Sequence, residues 1–334
     1  MLVDAHVHCF VWEEFPPGEK WAYAGNWAWY SPGLWTRVRP FIPPIDKKGP
    51  WRDPADVYAR VSKAVGDPDG AKLMAYLDAH GIEKCVCMMV DWGIAWGEEA
   101  EFNVHKVNER GGQLKKRYAG RFSFQAAVDP RRRDAPEIAE KAIKEYGASG
   151  IKILAANNVY PDDPSCFPLY EIARDYGKTV TVHTGSGDVA AFIRPAHPWH
   201  LETPAKLFPK LQFVAAHGGG GLDGYWRDLV LMCSTIPNIA MDLSEWQHDV
   251  VPSDVDPGRE EEFIKVLNIL RKKIGAHSLM IGTDYMVENV ADAAWWWDLW
   301  KDLPARARKF GYKFTQEETN LIVGDNARRI YGTG

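Results

Sequence analysis

The feature that most constrains the fold of this chain is the repeated alternation of short apolar segments with longer amphipathic ones. Several of the short segments are almost continuously apolar, as in parallel strands that are buried on both faces. Eight strands are predicted in this way. They cover residues 2–7, 84–90, 121–128, 150–154, 178–183, 211–216, 238–243 and 279–284.

Amphipathic helices are predicted between these strands. One spans residues 135–146, where Ile138, Ala142 and Ile143 share a face and Gly147 ends the helix. Further helical patterns cover residues 169–176, the segment that opens at 203–204, and residues 263–270. Strands that alternate with helices indicate a parallel sheet, and eight such strands close a barrel. We therefore predict one α/β domain over residues 1–334, a (β/α)8 TIM-type barrel; the alternative is a doubly wound open sheet.

One segment breaks this alternation. Residues 11–70 form a long Trp-rich insertion after the first strand, with paired prolines at 16–17 and 43–44 and no clear periodicity. A loop of this length is usually functional or disordered, and so many aromatic residues argue against disorder. We expect the insertion to pack over the rim of the barrel where the active site lies. The alternative is a flap that contacts another subunit.

Composition excludes several classes of protein. The net charge of −5 argues against nucleic acid as the main partner, because phosphate binding requires a basic face. Five cysteines, an odd number, do not form a disulfide framework. Neither a membrane-length apolar run nor a signal peptide is recognisable. We expect a cytoplasmic protein that binds a small molecule, not nucleic acid or a membrane, and that forms a homodimer.

Polar residues at the ends of the predicted strands indicate where the chemistry lies. His6 and His8 end the first strand, and their spacing of two points both side chains to one face. His183 ends the fifth strand, His217 ends the sixth, and Asp284 ends the eighth. Because the carboxyl ends of barrel strands open on one rim, the sequence predicts that these five residues meet there.

Imidazoles and a carboxylate are a common ligand set for zinc or a similar divalent ion. Each residue also has a structural explanation: a single histidine at a strand end is often a hydrogen-bonded group, and an aspartate can cap a helix. Their joint occurrence at the ends of separate strands favours metal binding over these explanations.

Six segments carry a resemblance to a known family. In chain order they are VDAHVH at 3–8, GIKI at 150–153, VTVHTG at 180–185, FVAAHGG at 213–219, IGTDY at 281–285 and VGDNARR at 323–329. Together they resemble the amidohydrolase superfamily. Within it, they resemble the amidohydrolase-2 branch, which contains aminocarboxymuconate semialdehyde decarboxylase and aromatic acid decarboxylases. The resemblance implies a distorted (β/α)8 barrel over nearly the whole chain.

The same resemblance implies roles for individual residues. One Zn²⁺ or Mn²⁺ per chain would be held by His6, His8, His183 and Asp284. His217 would act as the acid or base that contacts water or substrate. Lys152 stands where binuclear superfamily members carry a carboxylated lysine that bridges two metals. It could bridge a second metal or bind substrate, although relatives in the decarboxylase branch often have this lysine without the bridging role.

Two reactions fit this pattern. The first hypothesis is a metal-dependent hydrolase, in which metal-activated water attacks a carbonyl-type carbon of a small organic substrate while Asp284 and His217 handle the proton. The alternative is a non-oxidative, metal-dependent decarboxylase (carboxy-lyase) or a hydratase, acting on an aromatic or unsaturated carboxylic acid. A catalytically inactive binding protein is the least expected outcome, because all the predicted ligands are present.

Substrate-binding residues are also predicted for the decarboxylase hypothesis. A guanidinium group can grip a carboxylate through two parallel hydrogen bonds. Arg194, in the loop after the fifth strand, could play this role, and Trp246, after the seventh strand, could contact the substrate. Other candidate guanidinium groups lie in the insertion, on Arg37, Arg39 and Arg52.

Overall fold

We describe the protein from a computed structural model. The structure describes residues 1–20, 66–185, 191–252, 257–285 and 290–333, and the isolated residues 22, 59, 62 and 63. Its central element is an eight-stranded sheet in which every strand pairs in parallel with the next. The strands are β1 Val3–Val7, β2 Lys84–Met88, β3 Phe122–Ala127, β4 Gly150–Ile153, β5 Thr179–His183, β6 Phe213–Ala216, β7 Ile239–Asp242 and β8 Leu279–Met280.

Hydrogen bonds between the first strand and the segment after the last strand nearly close the sheet. The amide of Ala5 donates to the carbonyl of Ile281 over 3.0 Å, and that of His8 donates to the carbonyl of Tyr285 over 2.8 Å. Val7 and Tyr285 also form an isolated parallel bridge. The predicted TIM-type barrel is therefore confirmed, and the open sheet is wrong.

The predicted strand ends hold for seven strands to within about two residues, but the eighth is shorter than predicted. It ends at Met280, so Asp284 lies beyond the strand and not at its end. The amides of Thr283 and Asp284 both donate to the carbonyl of His6, over 3.2 and 2.8 Å, which breaks the regular ladder. Asp284 accordingly adopts the left-handed conformation, with φ 58°.

Helices cover the outside of the barrel, and the predicted helices at 135–146, 169–176, 203–204 and 263–270 are confirmed with adjusted ends. The α-helices are α1 Ala71–His80, α2 Gly93–Trp96, α3 Val104–Arg117, α4 Ala135–Lys144, α5 Phe167–Asp175, α6 Glu202–Leu207, α7 Trp226–Cys233, α8 Gln247–Val250, α9 Glu260–Lys273, α10 Val290–Lys301, α11 Leu303–Lys309, α12 Gln316–Asn320 and α13 Asn326–Tyr331. Short 3-10 helices span Trp12–Glu14, Ala155–Asn157, Pro164–Cys166, Pro198–Leu201, His217–Gly219 and Ala276–Ser278, and a π-helical turn spans Leu321–Asp325.

The last helix closes one end of the barrel. Ile330 and Tyr331 of α13 belong to the apolar cluster that fills the barrel interior together with Val3, Val86 and Val214. Lys84, the first residue of β2, donates through its ammonium group to the carbonyl of Thr333, just after α13. The amino ends of the strands are thus covered, which leaves the carboxyl ends as the place for a site.

The described parts of the insertion show how its two ends are joined. Phe10 and Gly66 form a parallel bridge, and the amide of Asp67 donates to the carbonyl of Phe10 over 2.7 Å. The Trp-rich part of the segment and the candidate residues Arg37, Arg39 and Arg52 lie outside the described residues. The position of the insertion over the rim stays a prediction. Among the described residues, no helix is both long and apolar enough to span a membrane.

Candidate metal centre

The site-forming residues lie at the carboxyl ends of the strands, as the sequence predicts. His6 belongs to β1 and His8 follows it directly, while His183 is the last residue of β5. His217 comes directly after β6. Asp284 lies in the segment that bonds to β1. The barrel therefore brings groups from four separate parts of the sequence to one end.

Asp284 binds two imidazoles with one oxygen. Its Oδ1 lies 3.1 Å from Nε2 of His6 and 3.0 Å from Nε2 of His8. Among the described residues, none donates a hydrogen bond to this buried oxygen. Burial lowers the pKa of His8, so this imidazole is neutral and keeps a lone pair. This side of the site thus places one carboxylate oxygen beside two imidazole nitrogens.

The outer nitrogens of the two imidazoles identify their tautomers. Nδ1 of His8 lies 2.8 Å from the carbonyl oxygen of Met88, which can only accept a hydrogen bond. Nδ1 of His6 lies 3.0 Å from Oδ2 of Asp242, a carboxylate that accepts in the same way. Both rings therefore carry hydrogen on Nδ1 and turn the Nε2 lone pair towards Asp284. Imidazoles that ligate metals are usually held by such outer hydrogen bonds, so these residues fit a divalent cation.

His217 and His183 form a second pair of imidazoles beside the first. Nε2 of His217 lies 3.1 Å from Nδ1 of His183. Ligand atoms of His6, His217 and Asp284 also lie within 4.8 Å of one another. Burial, and then His183, lower the pKa of His217 well below its usual range, so it is neutral. The division of roles between His183 as ligand and His217 as acid or base stays a prediction.

Lys152 faces the same centre from β4. Its ammonium nitrogen lies 3.5 Å from Nε2 of His6, and its side chain is buried. Burial lowers the pKa of Lys152 to about 8. Lys152 thus lies beside His6, while its carboxylation, the bridging role and substrate binding stay predictions.

The predicted contact of Trp246 with substrate is wrong. Its side chain is 0% exposed, and its indole nitrogen donates to the carbonyl of His217 over 2.8 Å. The Trp246 side chain therefore holds the backbone of His217 through this hydrogen bond, and none of its surface is accessible to a ligand. Arg194 is exposed, and its backbone carbonyl accepts from the amide of His197. A substrate contact of Arg194 stays a prediction.

Two residues of the site were not predicted. Asp242 ends β7 and Ser244 lies two positions further on; both are 0% exposed. Asp242 accepts from His6, and Ser244 lies 2.8 Å from Nδ1 of His217 through its hydroxyl oxygen. The signal was the same as for the predicted residues, since Asp242 and Ser244 are polar groups after an apolar strand.

Backbone conformation also distinguishes this end of the barrel. His217 adopts the left-handed region, with φ 61°, as Asp284 does. Non-glycine residues in this region are uncommon and concentrate at functional sites. The four glycines that follow His217, residues 218–221, all have positive φ as well. The glycine-rich segment is thus a turn that this backbone requires, which explains its composition.

Comparisons with known proteins agree with this fold. A model of the amidohydrolase family matches residues 3–333. The comparison with curated proteins finds no match. Among solved structures, 5-carboxyvanillate decarboxylase from Sphingomonas paucimobilis has a TM-score of 0.62 at 16% identity, over 99% of this chain and 98% of that protein.

Two further solved structures cover the same length. A 5-carboxyvanillate decarboxylase from Novosphingobium aromaticivorans, solved with bound manganese, has a TM-score of 0.66 at 13% identity, over 99% of this chain and 97% of that protein. A probable 2-pyrone-4,6-dicarboxylic acid hydrolase from Acinetobacter baumannii has a TM-score of 0.57 at 13% identity, over 99% of both chains. At these identities the likeness establishes the fold.

Proposed function

Because the chain belongs to the amidohydrolase family, we propose that it is a metal-dependent enzyme that decarboxylates an aromatic or unsaturated carboxylic acid without oxidation. The family match confirms the prediction of an enzyme of the amidohydrolase superfamily. The specific reaction is our proposal. Decarboxylation is preferred here to hydrolysis, which is the first hypothesis from the sequence alone.

The observation that carries the proposal is the convergence of Nε2 of His6 and of His8 on Oδ1 of Asp284, at 3.1 and 3.0 Å. These three residues would hold Zn²⁺ or Mn²⁺, and we propose His183 as the fourth ligand. A bound divalent ion supplies Lewis-acid chemistry, polarising and orienting the oxygen atoms of a substrate. Two structural neighbours are decarboxylases by name, and one of them was solved with manganese, which supports this choice.

A group of aromatic side chains packs beside one of the ligands. The ring of His8 stacks on Phe10, with centroids 4.8 Å apart and planes inclined by 17°. Phe10 packs against Phe15 at 5.1 Å, and Phe15 stacks on Trp92 at 5.2 Å. Trp92 is only half-buried and forms the outer member of the group. Phe10 and Phe15 are buried, so this group holds the ring of His8 in place and leaves the half-buried Trp92 as its member nearest to solvent.

Charge and proton balance also suit decarboxylation. Lys152 provides a buried amine 3.5 Å from His6, close enough to the ligands to attract a substrate carboxylate. The substrate enters as a carboxylate, so His217 would take up one proton from solvent at Nε2. The bond to the carboxyl carbon then breaks, its electron pair stays on the substrate carbon, and the proton from His217 forms the new C–H bond. The carboxylate and one proton thus become CO2 and the decarboxylated product, with no change of oxidation state supplied from outside.

Hydrolysis is the second candidate, and the neutral state of His217 favours it. A neutral imidazole whose Nε2 lone pair faces the site can also act as a general base towards water. One structural neighbour is a probable hydrolase of a pyrone dicarboxylic acid. A lactone or related cyclic ester that carries a carboxylate is the corresponding substrate class.

The experiment that tests the proposal measures metal and CO2 together. The protein is loaded with Mn²⁺ or Zn²⁺, its metal content is quantified, and hydroxybenzoates labelled with ¹³C at the carboxyl group are supplied. We expect metal-dependent release of ¹³CO2 from at least one acid, reduced by at least about 100-fold in Asp284→Asn. Asp175→Asn is the matched control, because Asp175 is exposed at the end of α5 that leads into the amino end of β5.

Other outcomes are equally informative. If the protein releases acid from carboxylated lactones but liberates no ¹³CO2 from any of the acids, hydrolysis replaces decarboxylation as the proposed reaction. A protein that holds no Mn²⁺ or Zn²⁺ after loading would overturn metal dependence for both reactions. Full activity of Asp284→Asn would show that the Asp284 carboxylate is not needed for the reaction.

A further inference from the structure

A single buried carboxylate contacts both halves of the imidazole cluster. Asp242, at the end of β7, accepts from Nδ1 of His6 with its Oδ2 over 3.0 Å. Its other oxygen, Oδ1, accepts from the backbone amides of His217 over 3.0 Å and of Ser244 over 3.2 Å. Asp242 thus touches a ligand from β1 and the segment after β6 at once. Asp242 therefore connects the imidazole of His6 to the backbone of His217.

Ser244 extends this link to the side chain of His217. Its hydroxyl donates to Oδ1 of Asp242 over 2.5 Å, and its oxygen lies 2.8 Å from Nδ1 of His217. A serine hydroxyl has one hydrogen, and here that hydrogen is given to the carboxylate. The oxygen can then only accept from the imidazole. Nδ1 of His217 must therefore carry a hydrogen, which leaves the lone pair on Nε2.

We infer that Ser244 and Asp242 are positioning residues that hold His6 and His217 in the same Nδ1–H tautomer and so direct both Nε2 lone pairs into the site. Asp242 sets His6 directly and sets His217 through Ser244. This inference rests on the proposed function only in treating His217 as the acid or base. The tautomers themselves are properties of the protein without metal or substrate.

The contacts predict different effects for the two residues. Loss of the Ser244 hydroxyl removes the nearest acceptor from Nδ1 of His217 and leaves Oε2 of Glu245 at 4.0 Å, whereas His6 keeps Asp242 at 3.0 Å. The Ser244 oxygen lies farther from Nδ1 of His6, at 3.3 Å. Asparagine at position 242 would carry an NH2 group, and the hydrogens of this group can point towards Ser244 or His6. The asparagine therefore disturbs both rings, and serine-to-alanine disturbs only His217.

A purely structural role would behave differently. Ser149 provides the comparison, because it is a buried serine whose hydroxyl donates to the carbonyl of Phe124 over 2.9 Å. It lies just before β4, at the covered end of the barrel. Ser149→Ala removes a buried hydrogen bond of the same kind as Ser244→Ala does. Only the second change should alter an imidazole of the site.

The test is a long-range ¹H–¹⁵N correlation spectrum of metal-free protein labelled with ¹⁵N-histidine, with signals assigned through His6→Asn and His217→Asn. We expect Nδ1–H tautomers for both rings in the wild type. In Ser244→Ala the His217 signals shift towards the Nε2–H form and the His6 signals do not. Ser149→Ala leaves both unchanged, and Ser244→Thr, which keeps the hydroxyl, restores the His217 pattern.

Metal titration gives a second readout. We expect Asp242→Asn to bind Mn²⁺ about 10- to 100-fold more weakly, because it disturbs an outer partner of a ligand, and Ser244→Ala to bind it within about threefold of the wild type. An Nε2–H tautomer of His217 in the wild type, or an unchanged His217 spectrum in Ser244→Ala, overturns the inference. If Asp242→Asn does not fold, the Ser244→Ala spectrum decides alone.

These results separate the inference from the proposed function. Tautomers that shift as expected in a protein without decarboxylase activity would retain the positioning role and reject the reaction. If the protein is active and metal-dependent but the tautomer of His217 is the same in Ser244→Ala as in the wild type, the proposed reaction stands and the positioning role is rejected.

Discussion

Thr283 donates two hydrogen bonds to the carboxylate of Asp4, one from its backbone amide over 3.1 Å and one from its hydroxyl over 2.6 Å. Asp4 lies two residues before His6, and Thr283 directly precedes Asp284. The pair thus joins β1 to the irregular segment after β8 at the level of the ligands. All of this contact is buried, since both side chains are 0% exposed. We expect the position of Asp284 to depend on it.

Replacing Thr283 by valine tests this dependence. Valine keeps the shape of threonine but removes the closer of the two hydroxyl donors to Asp4, leaving Tyr76 at 3.4 Å, so we expect the free energy of unfolding to fall by about 1–3 kcal/mol. Mn²⁺ affinity should fall as well, because the turn that carries Asp284 loosens. Thr283→Ser keeps the hydroxyl and is the control. Urea unfolding and isothermal titration measure both quantities, and equal behaviour of the two variants would contradict the role of this contact.

Much of the fold followed from sequence because the barrel strands are short apolar runs at regular intervals. Strands β5 and β6 are covered on both faces. Residues such as Val180, Val182 and Val214 are therefore buried, and the sequence of these strands is almost continuously apolar. The last strand was overestimated for the same reason. Residues 279–284 read as one run, but Thr283 bonds to Asp4 and interrupts the ladder. A contact between residues 279 positions apart leaves no local pattern.

The site was predictable in its members and less so in its geometry. His6 and His8 share a face because they are two apart in an extended strand, and this local rule holds. The left-handed backbone of His217 and Asp284 follows from tertiary contacts and not from residue type. Asp242 and Ser244 carried the same polar-after-apolar signal as the histidines. The sequence does not assign them a role, because they contact imidazoles that meet them only in the folded barrel.

Metal binding should stabilise the protein. At a concentration 100 times its dissociation constant, a ligand that binds only the folded state adds about 2.7 kcal/mol to the free energy of unfolding. We expect Mn²⁺ to raise the thermal midpoint of metal-free protein, as measured by scanning fluorimetry. Asp284→Asn should lose this rise. Its metal-free midpoint should stay near that of the wild type, because the substitution removes a carboxylate that faces two lone pairs.

The control for this measurement is Asp175→Asn, which leaves the site intact and should keep the full metal-induced rise. If Asp284→Asn is stabilised by Mn²⁺ as much as the wild type is, the ion binds elsewhere and the ligand assignment fails.

Arg110 of α3 should be essential for stability at the place where the insertion leaves and rejoins the barrel. Its guanidinium donates to the carbonyls of Cys9 over 2.7 Å and of Asp67 over 2.5 Å, and it pairs with Glu14 at 3.2 Å. Arg110→Met leaves Glu14 buried without this cation, so we expect a loss of about 3–5 kcal/mol in the free energy of unfolding.

Arg117→Met is the matched control for this prediction. Arg117 lies on the same helix and pairs with Asp69 at 3.2 Å, but both side chains are about half exposed. Exposed pairs contribute about 0–1 kcal/mol, so this variant should unfold nearly as the wild type does. Urea unfolding of both variants measures the difference. Similar losses from the two changes would show that burial of Arg110 does not matter.

Gly282 should be required for space and not for backbone conformation. A Cβ atom placed there would lie 2.8 Å from Cβ of His6, 3.2 Å from its backbone nitrogen and 3.1 Å from Cβ of Ser244. Neither neighbour can move without shifting a strand that carries a site residue. We therefore expect Gly282→Ala to reduce the free energy of unfolding by about 1–3 kcal/mol, as overpacked cores do, and to weaken Mn²⁺ binding by displacing His6.

Gly66→Ala separates this steric effect from the general effect of removing a glycine. A Cβ at Gly66 would meet only the carbonyl oxygen of Ser62, at 3.4 Å, which is an ordinary contact. Its stability should change by no more than about 0.5 kcal/mol, and Mn²⁺ affinity should be unchanged. Urea unfolding and isothermal titration of both variants give the comparison. A Gly282→Ala protein that binds Mn²⁺ as tightly as Gly66→Ala would mean that His6 can move without loss, and that the close approach of these two strands does not position the metal ligands.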